Sequence, residues 1–157
     1  MSWEKLVHLD LRKNLIESLP DAISSMGSLE KLWLDKNKLK TLPARIGKLK
    51  NLKDLSVAEN VLESIPKELQ NCASLQRINF SENKLSSLPE ELFENGGSMT
   101  ELILRDNKIS ALPGSIGNCL LLRILCLANN SISKLPEDIG KCTELREVYL
   151  QNNAKVS

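Results

Sequence analysis

Several residue types are scarce in this chain of 157 residues, and each shortage argues against a class of function. His8 is the one histidine, so imidazole-based catalysis would depend on that side chain alone. Aromatic residues make up 3% of the chain, which leaves few rings to stack on nucleic-acid bases. No apolar run approaches the roughly 18 residues of a membrane span, and residues 1–5 carry no signal-peptide pattern.

Charge and cysteine usage narrow the class of protein further. There are 21 basic and 20 acidic residues, and a net charge of +1 argues against a nucleic-acid binder that relies on accumulated cations. The cysteines Cys72, Cys119, Cys126 and Cys142 form no CxxC pair, so a zinc site lacks ligands. Their spacing is not that of a disulfide framework. We therefore predict a reduced, cytoplasmic protein without a metal or cofactor.

A repeat of about 23 residues runs through the whole chain. One column of asparagines has spacings of 23, 23, 23, 24, 23 and 23 residues, and every proline follows a Leu or Ile at one phase of the same repeat. Seven units begin near residues 6, 29, 52, 75, 99, 122 and 145, and the last is incomplete. The asparagine column is Asn14, Asn37, Asn60, Asn83, Asn107, Asn130 and Asn153.

Each unit follows the pattern Leu-x-x-Leu-x-Leu-x-x-Asn-x-Leu-x-x-Leu-Pro-x-x-Ile-Gly, with position 1 at Leu6 in the first unit. This pattern resembles the leucine-rich repeat family over essentially the whole chain. The 23-residue unit with its Leu-Pro and Ile-Gly phases is similar to the intracellular, Ras-linked and Scribble-like subclass. The sequence is thus interpreted as a single leucine-rich repeat domain spanning residues 1–157.

The apolar pattern predicts the same architecture on physical grounds. Apolar positions 4 and 6 alternate with variable positions 3, 5 and 7, which is the period of a strand. Apolar positions 11, 14 and 18 turn the chain back, and the proline at position 15 suits the first turn of a short helix. One unit cannot bury its apolar edge alone, so the units must stack.

The expected fold is therefore an α/β solenoid shaped as a horseshoe. A parallel β-sheet lines the concave face, and short helices or 3-10 turns form the convex face. The asparagine amides are expected to bond backbone groups in the bend after each strand. Strands are predicted at residues 8–10, 31–33, 54–56, 77–79, 101–103, 124–126 and 147–149.

Four departures from the repeat carry further expectations. Three of the four cysteines share position 21, where we predict small buried apolar side chains and not a redox cluster. Trp3 is expected to cover the N-terminal end of the core. The extra residue of the fourth unit falls in residues 94–98, where two glycines are free to take positive φ. Lys155 replaces an apolar residue in the last unit, so the C-terminal end is interpreted either as the edge of a fragment or as a surface open to self-association.

No motif in the chain indicates catalysis. The Gly-Lys pairs at Gly47 and Gly140 lack the upstream glycine and the following Ser or Thr of a phosphate-binding loop. Charge is uneven, with a net of +7 over residues 31–53 and −6 over residues 54–101. This charge asymmetry reflects either ordinary solvation of exposed faces or electrostatic steering of a partner with the opposite charge pattern.

Specificity is expected on the concave face, because the variable strand positions of all units sum there into one rigid surface. Apolar side chains at these solvent-facing positions suggest contact with a partner, and Trp, Tyr and Arg are enriched at binding hot spots. Trp33 is expected to be exposed between two charged residues. The candidate protein-binding residues are Lys31, Trp33, Asp35, Arg77, Ile103, Arg105, Ile124, Cys126 and Tyr149.

The sequence thus predicts a non-enzymatic protein–protein interaction module or scaffold in intracellular signalling. The resemblance implies a small GTPase or a phosphatase complex as partner. Two alternatives remain open: the targeting domain of a larger signalling enzyme, such as a kinase, GTPase or ubiquitin ligase, and a fragment of an extracellular recognition receptor.

Overall fold

A seven-stranded parallel sheet organises the molecule, in which strand order follows chain order from β1 to β7. The computed structural model describes residues 3–153. Residues one unit apart are direct partners, as with Leu9, Leu32 and Leu55. All seven predicted strands are confirmed with the predicted bounds. The strands are β1 (His8–Asp10), β2 (Lys31–Trp33), β3 (Asp54–Ser56), β4 (Arg77–Asn79), β5 (Glu101–Ile103), β6 (Ile124–Cys126) and β7 (Glu147–Tyr149).

The core lies behind this sheet and follows the repeat. In the second unit, Leu32 and Leu34 at positions 4 and 6 are fully buried, and Leu39, Leu42 and Ile46 close the core from the returning chain. The same columns are buried in the central units, because each unit covers the apolar edge of the one before it. The sheet and the core therefore run as continuous layers from one unit to the next.

The asparagine column joins neighbouring units by hydrogen bonds. The Asn60 Nδ2 group donates to the carbonyl oxygens of Leu34 in the preceding unit (3.0 Å) and Val57 in its own (3.3 Å). Its Oδ1 atom accepts the backbone N–H of Leu39 at 3.0 Å. Equivalent bonds recur along the chain, which confirms the predicted use of these amides. Each buried bend thereby has partners for its backbone groups.

The residue before each of these asparagines adopts a left-handed conformation, which the sequence did not indicate. Its φ is 60° at Lys36, 53° at Glu59 and 55° at Asn129. No glycine occupies this column, although glycine takes such angles at the lowest cost. The bend is fixed instead by the hydrogen bonds around it, since the N–H of Lys36 donates to the carbonyl oxygen of Ala58 at 2.9 Å.

Short 3-10 turns form the convex side. We expected the prolines in the first turn of each helix, but each lies one residue before its turn. The carbonyl oxygen of Pro20, for example, accepts the N–H of Ile23 at 3.0 Å. Gly47 permits close stacking, because a Cβ atom there would lie 2.3 Å from the Glu68 carbonyl oxygen. The turns are Asp21–Ser25, Ala44–Lys48, Lys67–Asn71, Glu90–Phe93, Gly96–Ser98, Gly114–Asn118 and Glu137–Lys141.

The cysteine column is buried in the convex part of the core, as predicted. The thiols of Cys72 and Cys142 donate to the carbonyl oxygens one unit earlier, at 3.2 and 3.3 Å. In the fourth unit, which has the extra residue, Gly96 lies against Cys119. The expectation of positive φ in this segment is wrong, since Gly96 and Gly97 lie in a 3-10 turn with negative φ.

The ends of the solenoid are less closed than its middle. Trp3 is 46% exposed and leaves an apolar cavity of about 350 Å³ beside Leu9, Leu11 and Met26, so its covering of the N-terminal end is partial. At the other end Val148 is 42% exposed. The prediction about Lys155 falls outside the described residues. Within residues 3–153, no helix has the length and apolarity needed to cross a bilayer.

Candidate interaction surface on the concave face

The side chains of positions 3, 5 and 7 form the concave surface, because strand residues alternate between the two faces of the sheet. In β2 the middle residue Leu32 is buried, whereas Lys31 is exposed and Trp33 is half-buried. The sequence-predicted residues divide into two groups along this surface. Lys31, Trp33, Asp35 and Arg77 lie over the N-terminal units, and the other five lie over the last three units.

Trp33 is held in place by its neighbours and is not the exposed side chain that we expected. The His8 ring meets the indole edge to face, with centroids 4.3 Å apart. The Arg12 guanidinium lies over the same indole at 4.7 Å from its centroid. The Trp33 Nε1 group donates to the Asp54 carboxylate at 3.1 Å. The indole therefore packs against the first and third units, on either side of its own.

Charged side chains around Trp33 are paired with one another. Arg77 reaches Asp54 at 3.4 Å and Glu101 at 3.1 Å. Arg12 donates two side-chain hydrogen bonds to the Asp10 carboxylate, which hold the Asp10 pKa down at about 2. These ion pairs are partly solvated, so each contributes little to folding stability. They compensate the charges of Asp10, Arg12, Asp54 and Arg77 within the surface.

Asp35 has a structural task that its sequence position did not suggest. Its Oδ1 atom accepts the Ser56 hydroxyl at 2.6 Å and the Ala58 backbone N–H at 2.7 Å, both in the next unit. Ser56 is 4% exposed, so the carboxylate provides a partner for a buried hydroxyl. Asp35 therefore stabilises the join between two units. Lys31, two residues earlier, remains in solvent.

A groove over β6 brings together all five predicted residues of the C-terminal half. We call it the β6 groove, and its volume is about 440 Å³. The five predicted lining residues are Ile103, Arg105, Ile124, Cys126 and Tyr149. The remaining lining residues were not among the candidates: two come from position 7, which the sequence did assign to the concave face, and two come from the bend that follows it, which it did not. These are Ala128, Asn129, Gln151 and Asn152.

Polar side chains connect along one end of the β6 groove. The Arg105 Nε group donates to Asp106 at 2.7 Å, and Asp106 accepts the Asn129 amide at 2.6 Å. The Asn152 amide donates in turn to the Asn129 Oδ1 atom at 2.7 Å. Asp106, Asn129 and Asn152 belong to the left-handed column, which therefore aligns them. The amide ladder fixes this edge of the groove across three units.

The hydroxyl of Tyr149 is directed to Glu147, to which it donates a hydrogen bond of 2.6 Å. This bond raises the Tyr149 pKa, because it stabilises the protonated phenol beside a carboxylate. The described residues, 3 to 153, contain no group of three or more His, Cys, Asp or Glu side chains placed to hold a metal ion. The surface thus offers shape, apolar area and hydrogen-bonding groups for recognition.

Comparison with known families finds leucine-rich repeats along nearly the whole sequence. A family model described as Leucine rich repeat matches residues 27–85 and 50–109. A model of two copies of the repeat matches residues 121–157, and a single-repeat model matches residues 5–26. No curated protein sequence matches the chain.

Solved structures of leucine-rich repeat proteins superpose on most of the chain. A leucine-rich repeat protein from Leptospira interrogans is 32% identical to this chain. The superposition covers 96% of this chain and 44% of that protein, with a TM-score of 0.72. The plant peptide hormone receptor RGFR1 in complex with RGF2 is 30% identical over 94% of this chain and 25% of its own, with a TM-score of 0.86.

A third similar structure is the ectodomain of the membrane receptor kinase GASSHO1/SCHENGEN3 from Arabidopsis thaliana, in complex with CASPARIAN STRIP INTEGRITY FACTOR 2. It is 32% identical over 94% of this chain and 18% of its own, with a TM-score of 0.82. The present chain thus spans less than half the length of each of these three proteins.

Proposed function

Because the chain belongs to the leucine-rich repeat family, we propose that it is a protein-interaction module that binds a protein partner through its concave face. Leucine-rich repeats commonly mediate protein–protein contacts and generally act as scaffolds without catalysis of their own. The observation that carries the proposal is the β6 groove, which gathers half-buried apolar side chains from three units on a solvent-facing surface. Apolar clusters at such positions are typical of binding sites.

The two halves of the concave face have different tasks in this proposal. Around Trp33 the indole, Arg77 and Asp54 already bond to one another and to their neighbours, so this half provides a rigid, polar platform. Around Tyr149 the apolar side chains have solvent in front of them. A partner gains more by covering apolar surface than by breaking existing ion pairs, so it binds chiefly over the last three units.

We further propose that the protein acts inside the cell, in signalling. Cys72, Cys119, Cys126 and Cys142 are all free thiols, which suits a reducing compartment. By resemblance to the Ras-linked and Scribble-like repeats, the partner is a small GTPase or a phosphatase complex. The chain would then work either alone or as the targeting segment of a longer signalling enzyme, and its half-exposed Val148 end is a candidate surface for self-association.

A second candidate is a recognition segment of an extracellular receptor. Its support is the likeness to a plant peptide hormone receptor and to the ectodomain of a plant membrane receptor kinase, each solved in a complex. Thiol counting on protein purified from its native source separates the two candidates. Four reactive thiols after unfolding, without attached glycan, support the intracellular proposal, whereas disulfides or a glycan support the receptor.

Affinity capture tests the concave face as the binding surface. The wild type and the variant Trp33→Ala/Ile103→Ser/Tyr149→Ala are used as baits, and bound proteins are identified by mass spectrometry. We expect the variant to lose a particular protein that the wild type retains. The control variant Leu120→Ser/Leu121→Ser removes two exposed apolar side chains between a convex turn and β6, and it should retain that protein. Equal capture by all three baits would exclude the concave face.

Circular dichroism of each bait must first confirm the fold, because Trp33 has packing contacts of its own. Two partial variants then locate the contact. Trp33→Ala tests the platform, and Ile103→Ser/Tyr149→Ala tests the β6 groove. We expect the partner to be lost with Ile103→Ser/Tyr149→Ala and retained with Trp33→Ala.

A further inference from the structure

We infer that the β6 groove receives one large apolar side chain of an extended protein segment, and that a lysine or arginine of the same segment pairs with Glu147. This inference rests on the proposed function and specifies the chemistry of the partner. Three features of the groove support it: its shape, the Glu147 carboxylate beside it, which forms no ion pair within residues 3–153, and the amide groups at its end that have no partner in the same residues.

The shape follows from a difference in side-chain size between neighbouring units. At position 5, Cys126 stands between Ile103 and Tyr149, which are its strand partners on either side. At position 7 the small side chain of Ala128 lines the same floor. The small side chains of Cys126 on β6 and of Ala128 just after it, with larger side chains in the neighbouring units, leave a depression one unit wide. With Ile124 at its start, the floor is apolar along its length and suits a Leu, Met or Phe side chain.

Charge selects the kind of segment that carries this side chain. The two carboxylates that flank Ile124 belong to Glu101 and Glu147, its partners on β5 and β7. Glu101 already accepts Arg77, whereas Glu147 has no cationic partner among residues 3–153 and accepts only the Tyr149 hydroxyl.

The positive charge on the other side of the groove is already compensated. Arg105 is bonded to Asp106 at 2.7 Å, so it offers little attraction to an acidic segment. The open charge at the groove is therefore negative, and it favours a cationic residue in the partner.

The far end of the groove can hold the backbone of the segment. The Gln151 amide and the Asn152 Oδ1 atom have no protein partner in the described part of the chain, although both line the groove. Amide groups of this kind bond peptide N–H and C=O groups without selecting a side chain. An extended segment with its apolar residue at position i and its cation at i+2 would present both to the groove, because these positions share a face.

The test uses three short blocked peptides and the complete 157-residue chain labelled with ¹⁵N. The probe is acetyl-Gly-Leu-Gly-Lys-Gly-amide. The comparison peptides replace its Leu by Ser or its Lys by Glu. We expect the probe to shift the amide signals of residues 124–128 and 149–152 in a saturable way, with an affinity on the order of millimolar. The Ser peptide should bind at least about tenfold more weakly and the Glu peptide about threefold more weakly.

Two pairs of variants connect these signals to the residues named. Cys126→Leu fills the groove and should abolish probe binding, whereas Leu121→Ser, on the flank of the solenoid, should leave it unchanged. Glu147→Gln should remove the preference for Lys over Glu, whereas Glu144→Gln, a nearby exposed carboxylate paired with Arg146, should preserve it. Each variant is first checked for a native-like spectrum, and Ile124→Ser provides a second test of the groove should Cys126→Leu fail to fold.

The possible results separate this inference from the proposed function. No shift with the probe at about 10 mM, a concentration that saturates millimolar sites, or shifts on residues outside the groove would overturn the inference. Equal binding of the Lys and Glu peptides would overturn its charge requirement. If the partner found by affinity capture depends on Trp33 and not on Ile103 or Tyr149, the concave face stands as the binding surface, but its placement over the last three units and the inference both fail. If no concave-face variant changes capture, both fail.

Discussion

Gly96 in the fourth unit packs directly against Cys119 in the fifth: a Cβ atom on Gly96 would lie 2.5 Å from the Cys119 Sγ atom. Cys119 is fully buried, so its sulfur has little room to move. We expect Gly96→Ala to lower the free energy of unfolding by about 1–3 kcal/mol through overpacking. Chemical denaturation of the wild type and the variant measures this change.

Gly97→Ala is the matched control for that prediction, because a Cβ atom there would meet no described atom within 4 Å. We expect a change of no more than about 0.5 kcal/mol, or a slight stabilisation from the less flexible unfolded chain. The double variant Gly96→Ala/Cys119→Ala should recover part of the loss. Equal effects of the two glycine substitutions would contradict the close contact.

Asn60→Ala should be clearly destabilising. It leaves the buried Leu39 N–H without its side-chain partner, whereas the Leu34 carbonyl keeps the Asn37 amide at 2.9 Å. An unsatisfied buried group costs about 1–3 kcal/mol, so we expect a loss of that size in unfolding free energy. Thermal and denaturant unfolding both report this loss.

Asn14→Ala tests the same column where it lies in solvent. Asn14 donates to Leu11 and Arg12 in its own unit, and water can replace those bonds. We expect a loss below about 1 kcal/mol. A similar cost at Asn14 and Asn60 would mean that the inter-unit bonds contribute little.

Trp33→Ala is expected to reduce stability more than Tyr149→Ala does. The indole loses its contacts with His8 and Arg12 and its bond to Asp54, and we expect a loss of about 2 kcal/mol. Tyr149 is 41% exposed, so its removal should cost no more than about 0.5 kcal/mol. The difference is measured by denaturant unfolding followed by circular dichroism, which does not depend on the tryptophan signal. Equal losses would mean that the contacts of Trp33 contribute no more to folding stability than those of Tyr149.

The buried thiols predict a decline in stability in alkaline solution. Burial raises the pKa of Cys72 to about 11 and that of Cys119 to about 12, from an ordinary value of 9.0. Above pH 9 the unfolded chain releases these protons while the folded chain keeps them, so unfolding becomes more favourable. The free energy of unfolding should therefore fall as the pH rises from 9 towards 12. In Cys72→Ala/Cys119→Ala this slope should be shallower, and an identical slope would assign the decline to other groups.

The fold was predictable because the 23-residue repeat of apolar residues determines both where the strands form and which side chains pack in the core. The bounds of β1 (His8–Asp10) and β7 (Glu147–Tyr149) follow from positions 3 to 5 of the repeat, and the asparagine bonds follow from the need to satisfy a bend. The left-handed column was missed, because a run of Lys, Glu, Asp and Asn carries no glycine signal. The turn at Gly96 was missed because glycine takes positive and negative φ about equally readily, so its presence does not predict which one occurs.

The candidate surface was only partly predictable, for a different physical reason. Strand alternation placed Ile103 and Tyr149 on one face and in neighbouring units, which is what the β6 groove requires. Contacts made by flexible charged and aromatic side chains cannot be read from the period. Arg12 is far from Trp33 in the chain and yet lies over its ring, which changes that tryptophan from a free side chain into a packed one.

The in-register parallel sheet also gives the concave face a fixed unit of length. Neighbouring strands in a sheet are about 4.8 Å apart, so two strands span roughly 10 Å. A polyproline II segment advances about 9 Å in one turn of three residues, after which its side chains point the same way again. A ligand in that conformation that crosses the strands therefore presents every third side chain to equivalent columns two strands apart, such as those of Ile103 and Tyr149. Ligand sequences that repeat with a period of three match this spacing.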